Sequence, residues 1–162
     1  MRKEKERLLK IGGLLKRVGN FNPKRFLAFF EERLIFQKTI YLLQAYGLYL
    51  GYEFNWYLRG PYSPDLAYDG FALVDLYDKA PLVKFKRDKA ERRFLEFIHL
   101  FLGKRRRDAR WLEQLASIHF LKHLHPSMNK EKIIKKVMAK QPFITLRDCE
   151  ETWTYLKKFK LI

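Results

Sequence analysis

Two histidines, His119 and His123, stand one helical turn apart in the second half of the chain. Imidazoles at this spacing lie on the same face of a helix and can share a metal ion. His125 follows, but no cysteine or helical carboxylate completes a ligand set, and His119 falls on the apolar side of its predicted helix. We therefore expect a core or surface histidine pair, with no metal and no other cofactor.

The remaining reactive side chains have structural interpretations. Asp65 and Asp69 share a helix face, but Asp65 lies in the first turn, where the helix dipole favours a carboxylate. Cys149 is the only cysteine, which excludes an internal disulfide, and it lies on an apolar stripe. Signatures such as a phosphate loop, a CxxC pair, HExxH or a nucleophile elbow are missing. We expect a protein that is not an enzyme; a small metal-dependent nuclease or hydrolase that uses the histidines is the catalytic alternative.

The charge balance is strongly basic. Lys and Arg number 34 against 18 Asp and Glu, which gives a formal net charge of +16. Such an excess favours a polyanionic partner, either nucleic acid or an acidic protein. A basic surface that only keeps the protein in solution is the alternative.

Two basic clusters are candidates for nucleic-acid binding. The densest lies in a predicted loop between helices and consists of Lys104, Arg105, Arg106 and Arg107. Arginines in such a loop are suited to bidentate phosphate contacts. The second cluster lies on the polar face of a later helix and consists of Lys132, Lys135 and Lys136. Any solvated helix face shows the same pattern, so this alternative stays open.

The segments that would position these groups are mostly helical. Residues 1–20 predict a basic amphipathic helix, with Gly12-Gly13 as the candidate position of a bend. Asn22-Pro23 starts a helix that runs toward Tyr46. Residues 129–162 predict two short helices joined by a tight turn, like the second and third helices of a winged-helix module. A plain helical hairpin that closes the core is the alternative.

Two segments show the alternation of a strand. In Glu53–Arg59, every second residue is apolar, which predicts a half-buried strand with Phe54, Trp56 and Leu58 inward. Gly60-Pro61 would end this strand. Leu82–Lys86 predicts a second short strand with its lysines outward.

The turn after the first strand predicts a patch for a partner. Tyr57 and Arg59 would face outward, beside Tyr62 and Ser63 at the start of the next helix. An exposed aromatic next to an arginine is a common interface pairing. The alternative places both tyrosines in the core and pairs Arg59 with an aspartate of that helix.

The same region carries a family resemblance. Phe36-Gln-Lys-Thr-Ile-Tyr-Leu-Leu43, followed by Trp56-Tyr-Leu-Arg-Gly-Pro-Tyr-Ser-Pro-Asp-Leu66, resembles the Panacea domain family over about residues 33–67. In that family a Leu-Gln-Lys-Leu-type helix precedes an aromatic-Gly-Pro-x-x-Pro turn; here Phe36 and Thr39 replace the two leucines. The resemblance implies a helical, winged-helix-like fold and binding of a toxin, another protein or DNA. It identifies no catalytic residue.

Taken together, these patterns predict a mainly α protein with a small two- or three-stranded β element, forming one domain over residues 1–162. The expected function is a non-catalytic regulatory binding protein, nucleic-acid-binding or antitoxin-like. An adaptor for an acidic protein such as a toxin or regulator, without nucleic-acid binding, is the alternative. Because we find no targeting signal and no long apolar run, we expect a cytoplasmic protein without a membrane partner. The sequence leaves the oligomeric state open.

Overall fold

The computed structural model describes residues 2–162. In chain order its elements are α1 (Arg2–Val18), α2 (Pro23–Ala28), α3 (Phe30–Ala45), β1 (Asn55–Tyr57), β2 (Gly60–Tyr62), α4 (Pro64–Leu73), α5 (Asp88–Glu96), α6 (Ala109–Leu124), α7 (Lys130–Lys140) and α8 (Leu146–Lys158). A π-helical turn, Phe97–Leu102, extends α5. The two strands form one antiparallel pair. The predicted class, mainly α with a small β element, is confirmed.

Helices α3 and α6 form the centre of the molecule and pack against each other. Their contact lies in the larger apolar cluster, with Leu42 and Leu115 among its fully buried members. A smaller cluster includes Ile11, Phe36 and Leu66 and lies where α1 and α4 meet α3. Because α3 contributes side chains to both clusters, it joins the first half of the chain to the second. One domain over residues 1–162 stays a prediction.

Helix α1 runs through its two glycines without a break, and the bend at Gly12-Gly13 stays a prediction. A Cβ at Gly12 would lie 2.9 Å from the Cβ of Ala80, and one at Gly13 would lie 2.2 Å from the carbonyl oxygen of Pro81. The glycines therefore allow the backbone near residue 81 to approach the helix closely. This close packing is a structural reason for glycine at both positions.

The predicted helix from Asn22-Pro23 toward Tyr46 is two helices. Phe29 has extended backbone angles, φ −126° and ψ 128°, and separates α2 from α3. The guanidinium of Arg33 donates hydrogen bonds to the carbonyl oxygens of Phe26 and Leu27, at 2.8 and 3.2 Å. These bonds satisfy acceptors that the interrupted helix would leave free.

The strand predicted over Leu82–Lys86 does not form. This extended segment lies against α1, and side chains satisfy its backbone groups where a neighbouring strand would otherwise do so. Arg17 donates to the carbonyl oxygen of Val83 at 2.8 Å, and the amide of Phe85 donates to Glu91 at 3.1 Å. The second strand is Gly60–Tyr62, the segment that was predicted to end the first one.

The last two helices form the predicted helix pair. Asn129 caps α7, and Thr145 and Asp148 form a reciprocal capping box at the start of α8. Cys149 is free and fully buried, as expected. Within residues 2–162, no helix is long and apolar enough to cross a bilayer.

Candidate binding site

The two strands form a tight hairpin whose turn projects from the molecule. Asn55 pairs with Tyr62 and Tyr57 pairs with Gly60, so Leu58 and Arg59 form the turn. Gly60 has a φ of +93°, a region that side-chain-bearing residues rarely adopt. Leu58 is 73% exposed, which contradicts its predicted place on the buried face. The reason is that the strand ends at Tyr57, one residue before Leu58.

The segments that carry the family resemblance contact each other directly. The side chain of Gln37 donates to the carbonyl oxygen of Ser63 at 2.9 Å and accepts from the Ser63 amide at 3.1 Å. The Lys38 ammonium donates to the carbonyl oxygen of Pro61 at 2.5 Å. Two neighbouring residues of the central helix thus fasten the second strand and the start of α4.

A buried carboxylate on α6 fastens the hairpin from the other side. Glu113 is fully buried, accepts a 2.8 Å bond from the Arg59 guanidinium, and accepts another at 2.8 Å from the side-chain amide of Gln141. Burial raises the pKa of Glu113, and the adjacent Arg59 opposes this shift. Burial lowers the pKa of Lys38 to about 7, with Glu113 acting against the shift and Arg59 adding to it.

An open apolar cleft of about 430 Å³ lies beside the hairpin. Aromatic and aliphatic side chains form most of its wall: Phe26, Phe30, Leu34, Phe36, Tyr57, Leu58, Tyr62 and Phe71. Phe30 is 56% exposed and Phe71 is 49% exposed, so large apolar surfaces face solvent. The guanidiniums of Arg33 and Arg59 line the same cleft. Exposed apolar surface of this kind typically marks a site for a protein or another ligand.

The structure brings three of the four predicted patch residues together in this cleft. The rings of Tyr57 and Tyr62 pack edge to face, 5.2 Å between centroids. Arg59 lines the cleft beside them, but its internal partner is Glu113 and not Asp65 or Asp69. The fourth residue, Ser63, is buried and caps α4 by accepting a bond from the Leu66 amide. Ser63 is therefore inaccessible to a partner.

The arginines of the Lys104–Arg107 cluster are engaged within the protein. Arg106 donates to three backbone carbonyl oxygens, those of Gly103, Val18 and Ile98. Arg107 pairs with the buried carboxylate of Glu32. Arg105 pairs with Asp108 and Glu151, and its guanidinium lies 3.9 Å from the ring centroid of Trp111. A run of like charges in the sequence gave no sign of Val18, Glu32 and Glu151, the partners that come from distant segments.

The second basic cluster is on the surface. Lys132, Lys135 and Lys136 are all exposed on α7, opposite the buried Ile133 and Val137. This face agrees with a solvated helix and with an electrostatic contact surface alike.

The histidine pair lies at the edge of the core, with His119 buried and His123 exposed. The rings of His119 and His123 stack 5.9 Å apart, and the Nδ1 of His119 shares a hydrogen bond of 2.7 Å with the buried Tyr41 hydroxyl. Burial lowers the pKa of His119 to about 4, with the nearby His123 adding to this shift. Across residues 2–162, no group of three or more potential metal ligands occurs.

Asp69 accepts hydrogen bonds from Arg7 and Tyr52, so its carboxylate has partners within the protein.

Sequence reasoning missed the cleft residues outside the hairpin, Phe30 and Phe71, and the buried charges of Lys38 and Glu113. A signal for the charges was present, because apolar residues flank each of them closely in the sequence: Ile40 follows Lys38 in α3, and Leu112 precedes Glu113 in α6. No such signal marked Phe30, since its exposure depends on the break between α2 and α3. Comparisons with family models, with curated proteins and with solved structures found no match to this chain.

Proposed function

We propose that this chain is a non-catalytic regulatory binding protein whose aromatic cleft takes a short apolar segment of an acidic protein. The observation that carries the proposal is the cleft of Phe30, Tyr57, Tyr62 and Phe71, which leaves large aromatic surfaces open to solvent. Tyrosine and arginine anchors in desolvated pockets supply much of the binding energy in protein interfaces. This function fits the antitoxin-like or adaptor role that the family resemblance implies.

Charge supports an acidic partner. Within the described chain, the Arg33 guanidinium bonds only to backbone carbonyl oxygens and makes no ion pair with a carboxylate. The Arg59 side chain remains 42% exposed although it pairs with Glu113. With a net charge of +16, the protein attracts acidic partners at long range. The bound segment would therefore combine leucine or aromatic side chains with flanking Asp or Glu.

A selection from a random peptide library tests this proposal, followed by affinity measurements on the enriched peptides by fluorescence polarisation. The probe substitution is Leu58→Asp, which places a carboxylate in the cleft. Its matched control is Leu82→Asp, because Leu82 is 72% exposed and lies outside the cleft, whereas Leu58 is 73% exposed. Leu58→Asp should weaken peptide binding by about tenfold or more, and Leu82→Asp by about twofold at most. Equal losses from both variants, or enriched peptides without acidic residues, would contradict the proposal.

Nucleic-acid binding is a second candidate, favoured by the exposed lysines of α7. Changing Lys132, Lys135 and Lys136 together to Ala should then weaken binding to duplex DNA equally for all sequences. The slope of log affinity against log salt should fall by about 0.9 for each phosphate that the variant no longer neutralises. Binding that is unchanged in the triple variant would remove α7 from any nucleic-acid interface, and unchanged peptide binding would separate this surface from the cleft.

A further inference from the structure

A second cavity, of about 710 Å³, opens on another part of the surface and shares no residue with the aromatic cleft. Its wall is formed by the end of α3 with the loop after it, the start of α5, the middle of α6 and the last residues of the chain. Neither the resemblance nor the proposed protein-binding role assigns a function to it. Its volume is in the range typical of small-molecule sites.

Four basic side chains line this cavity: Arg87, Lys89, Arg93 and Lys160. Arg87, Lys89 and Lys160 are exposed and make no salt bridge among the residues of the described chain. Arg93 is bonded to Glu96 at 2.8 Å and lies over the ring of Tyr46, so one of the four charges is neutralised internally. The other three converge from two distant segments and favour an anionic ligand.

The start of α5 adds donors to the same wall. Arg87 is the N-cap residue and makes no side-chain capping bond, and the first-turn residues Lys89 and Ala90 line the cavity. Free amides and the positive end of the helix dipole favour a phosphate or carboxylate at this position.

His119 supplies a neutral donor from the floor of the cavity. It is 92% buried, since 8% of its surface is exposed, and it lines the cavity. We assign the hydrogen bond between the Tyr41 hydroxyl and Nδ1 of His119 as donated by the hydroxyl, because Nδ1 is the one partner of that hydroxyl among residues 2–162. A neutral imidazole that accepts at Nδ1 carries its proton on Nε2. Nε2 makes no hydrogen bond within the same residues, which leaves its N–H for a ligand.

A further part of the cavity wall is apolar. It includes Leu48, Ala45 and Leu161, together with Tyr49, whose ring is 70% exposed. A phosphate alone would leave this wall and most of the volume unused. An exposed tyrosine ring beside cationic groups is suited to stacking on a planar base.

We propose that this cavity binds a nucleoside phosphate, with the phosphates against Arg87, Lys89 and Lys160 and the base against Tyr49. His119 Nε2–H would then donate to an oxygen of the ligand. The site is independent of the aromatic cleft, so its failure or success leaves the protein-binding proposal untouched.

Calorimetric titration of the full chain tests this proposal with three probes at the same ionic strength: ATP, adenosine and inorganic tripolyphosphate. ATP should bind with one-to-one stoichiometry. Tripolyphosphate should bind at least about tenfold more weakly than ATP, and adenosine should give no measurable heat. Addition of ATP should also move the ring signals of His119 and Tyr49 in nuclear magnetic resonance spectra. Tripolyphosphate that binds as tightly as ATP, or an oligonucleotide that displaces ATP from the cavity, would overturn the assignment.

Two variants localise the binding. Lys89→Glu should weaken ATP binding about tenfold or more, while Lys24→Glu, the same charge change at the exposed second residue of α2, should leave it within about twofold. Lys160→Gly removes a cation at a residue with φ +58°, where glycine is less strained, so the variant should be at least as stable as the parent. Despite this stability, Lys160→Gly should bind ATP several-fold more weakly than the parent. Equal losses from Lys89→Glu and Lys24→Glu, or full affinity in Lys160→Gly, would refute the site.

Discussion

The hairpin packs closely against α6 at Gly60, so a side chain at this position should destabilise the protein. An alanine there would keep the φ of +93°, and its Cβ would lie 2.4 Å from the Ser117 hydroxyl oxygen. Ser117 is fully buried, and its hydroxyl has no hydrogen-bond partner in the part of the chain that the structure describes. The two positions should therefore be coupled, because the hydroxyl obstructs a side chain at residue 60.

The magnitude follows from two separate costs. The left-handed backbone at residue 60 costs an alanine about 1–3 kcal/mol, and the steric overlap about another 1–3 kcal/mol. Gly60→Ala should thus lower the free energy of unfolding by about 2–6 kcal/mol. Ser117→Ala should be neutral or stabilising, since it removes a buried unpaired hydroxyl. In the double variant the new Cβ meets the Cβ of residue 117 at 3.6 Å, an ordinary contact, so only the backbone cost remains.

The measurement is denaturant unfolding of the parent, both single variants and the double variant. The coupling free energy should be about 1–3 kcal/mol in the direction of rescue. Each kcal/mol corresponds to about 2–4 °C in Tm for a chain of this size. If the two substitutions prove additive, or if Gly60→Ala is as stable as the parent, the close contact between the hairpin and α6 at Ser117 is refuted.

Three further predictions concern stability. His119 has a folded pKa of about 4, below its ordinary value of 6.5, so the unfolded chain takes up its proton first as pH falls. The contribution of the neutral His119 to the free energy of unfolding, up to about 3 kcal/mol, is therefore complete above about pH 6.5 and is lost toward pH 4. The difference in unfolding free energy between the parent and His119→Gln should shrink by this amount over that pH range. Arg106→Ala should cost about 2–4 kcal/mol because three backbone carbonyls lose their donor, whereas Lys104→Ala, at an exposed residue of the same run, should cost less than about 0.5 kcal/mol in thermal unfolding. Gly13→Ala should destabilise the protein by about 1–3 kcal/mol in denaturant unfolding although it raises helix propensity, and a stabilised variant would show that α1 does not contact the Pro81 carbonyl closely.

Local patterns predicted the parts of the fold that are locally determined. The helix starts at Asn22-Pro23 and Ser63-Pro64 form as predicted, because capping and proline geometry act within one turn. Alternation over residues 82–86 predicted a strand for the same local reason, yet the backbone there bonds to Arg17 and Glu91. Whether an extended segment finds a strand partner depends on distant residues, and no periodicity contains that information.

The candidate site was predictable in part. Tyr57, Arg59 and Tyr62 were correctly placed near one another, since hairpin geometry brings them to one turn. The alternative, which paired Arg59 with Asp65 or Asp69, named the wrong carboxylate, because Glu113 lies 54 residues away and reaches Arg59 only through the packing of α6 on the hairpin. The same cause explains the arginine run, in which Arg107 pairs with Glu32 from 75 residues away. Charge density in sequence does not reveal which charges are already neutralised.

Arginine and lysine differ in this protein in how often they form salt bridges. Among residues 2–162, the salt bridges engage nine arginines but one lysine. Arginine suits these sites because its planar fork makes several directed bonds, while a lysine ammonium acts as a solvated point charge. The long-range positive field therefore comes mainly from exposed lysines without ion pairs, which would speed encounter with the proposed anionic partner without selecting it. In the two proposals, selection would fall to side chains whose positions are fixed by neighbours, such as the aromatic rings of the cleft and the buried His119 of the second cavity.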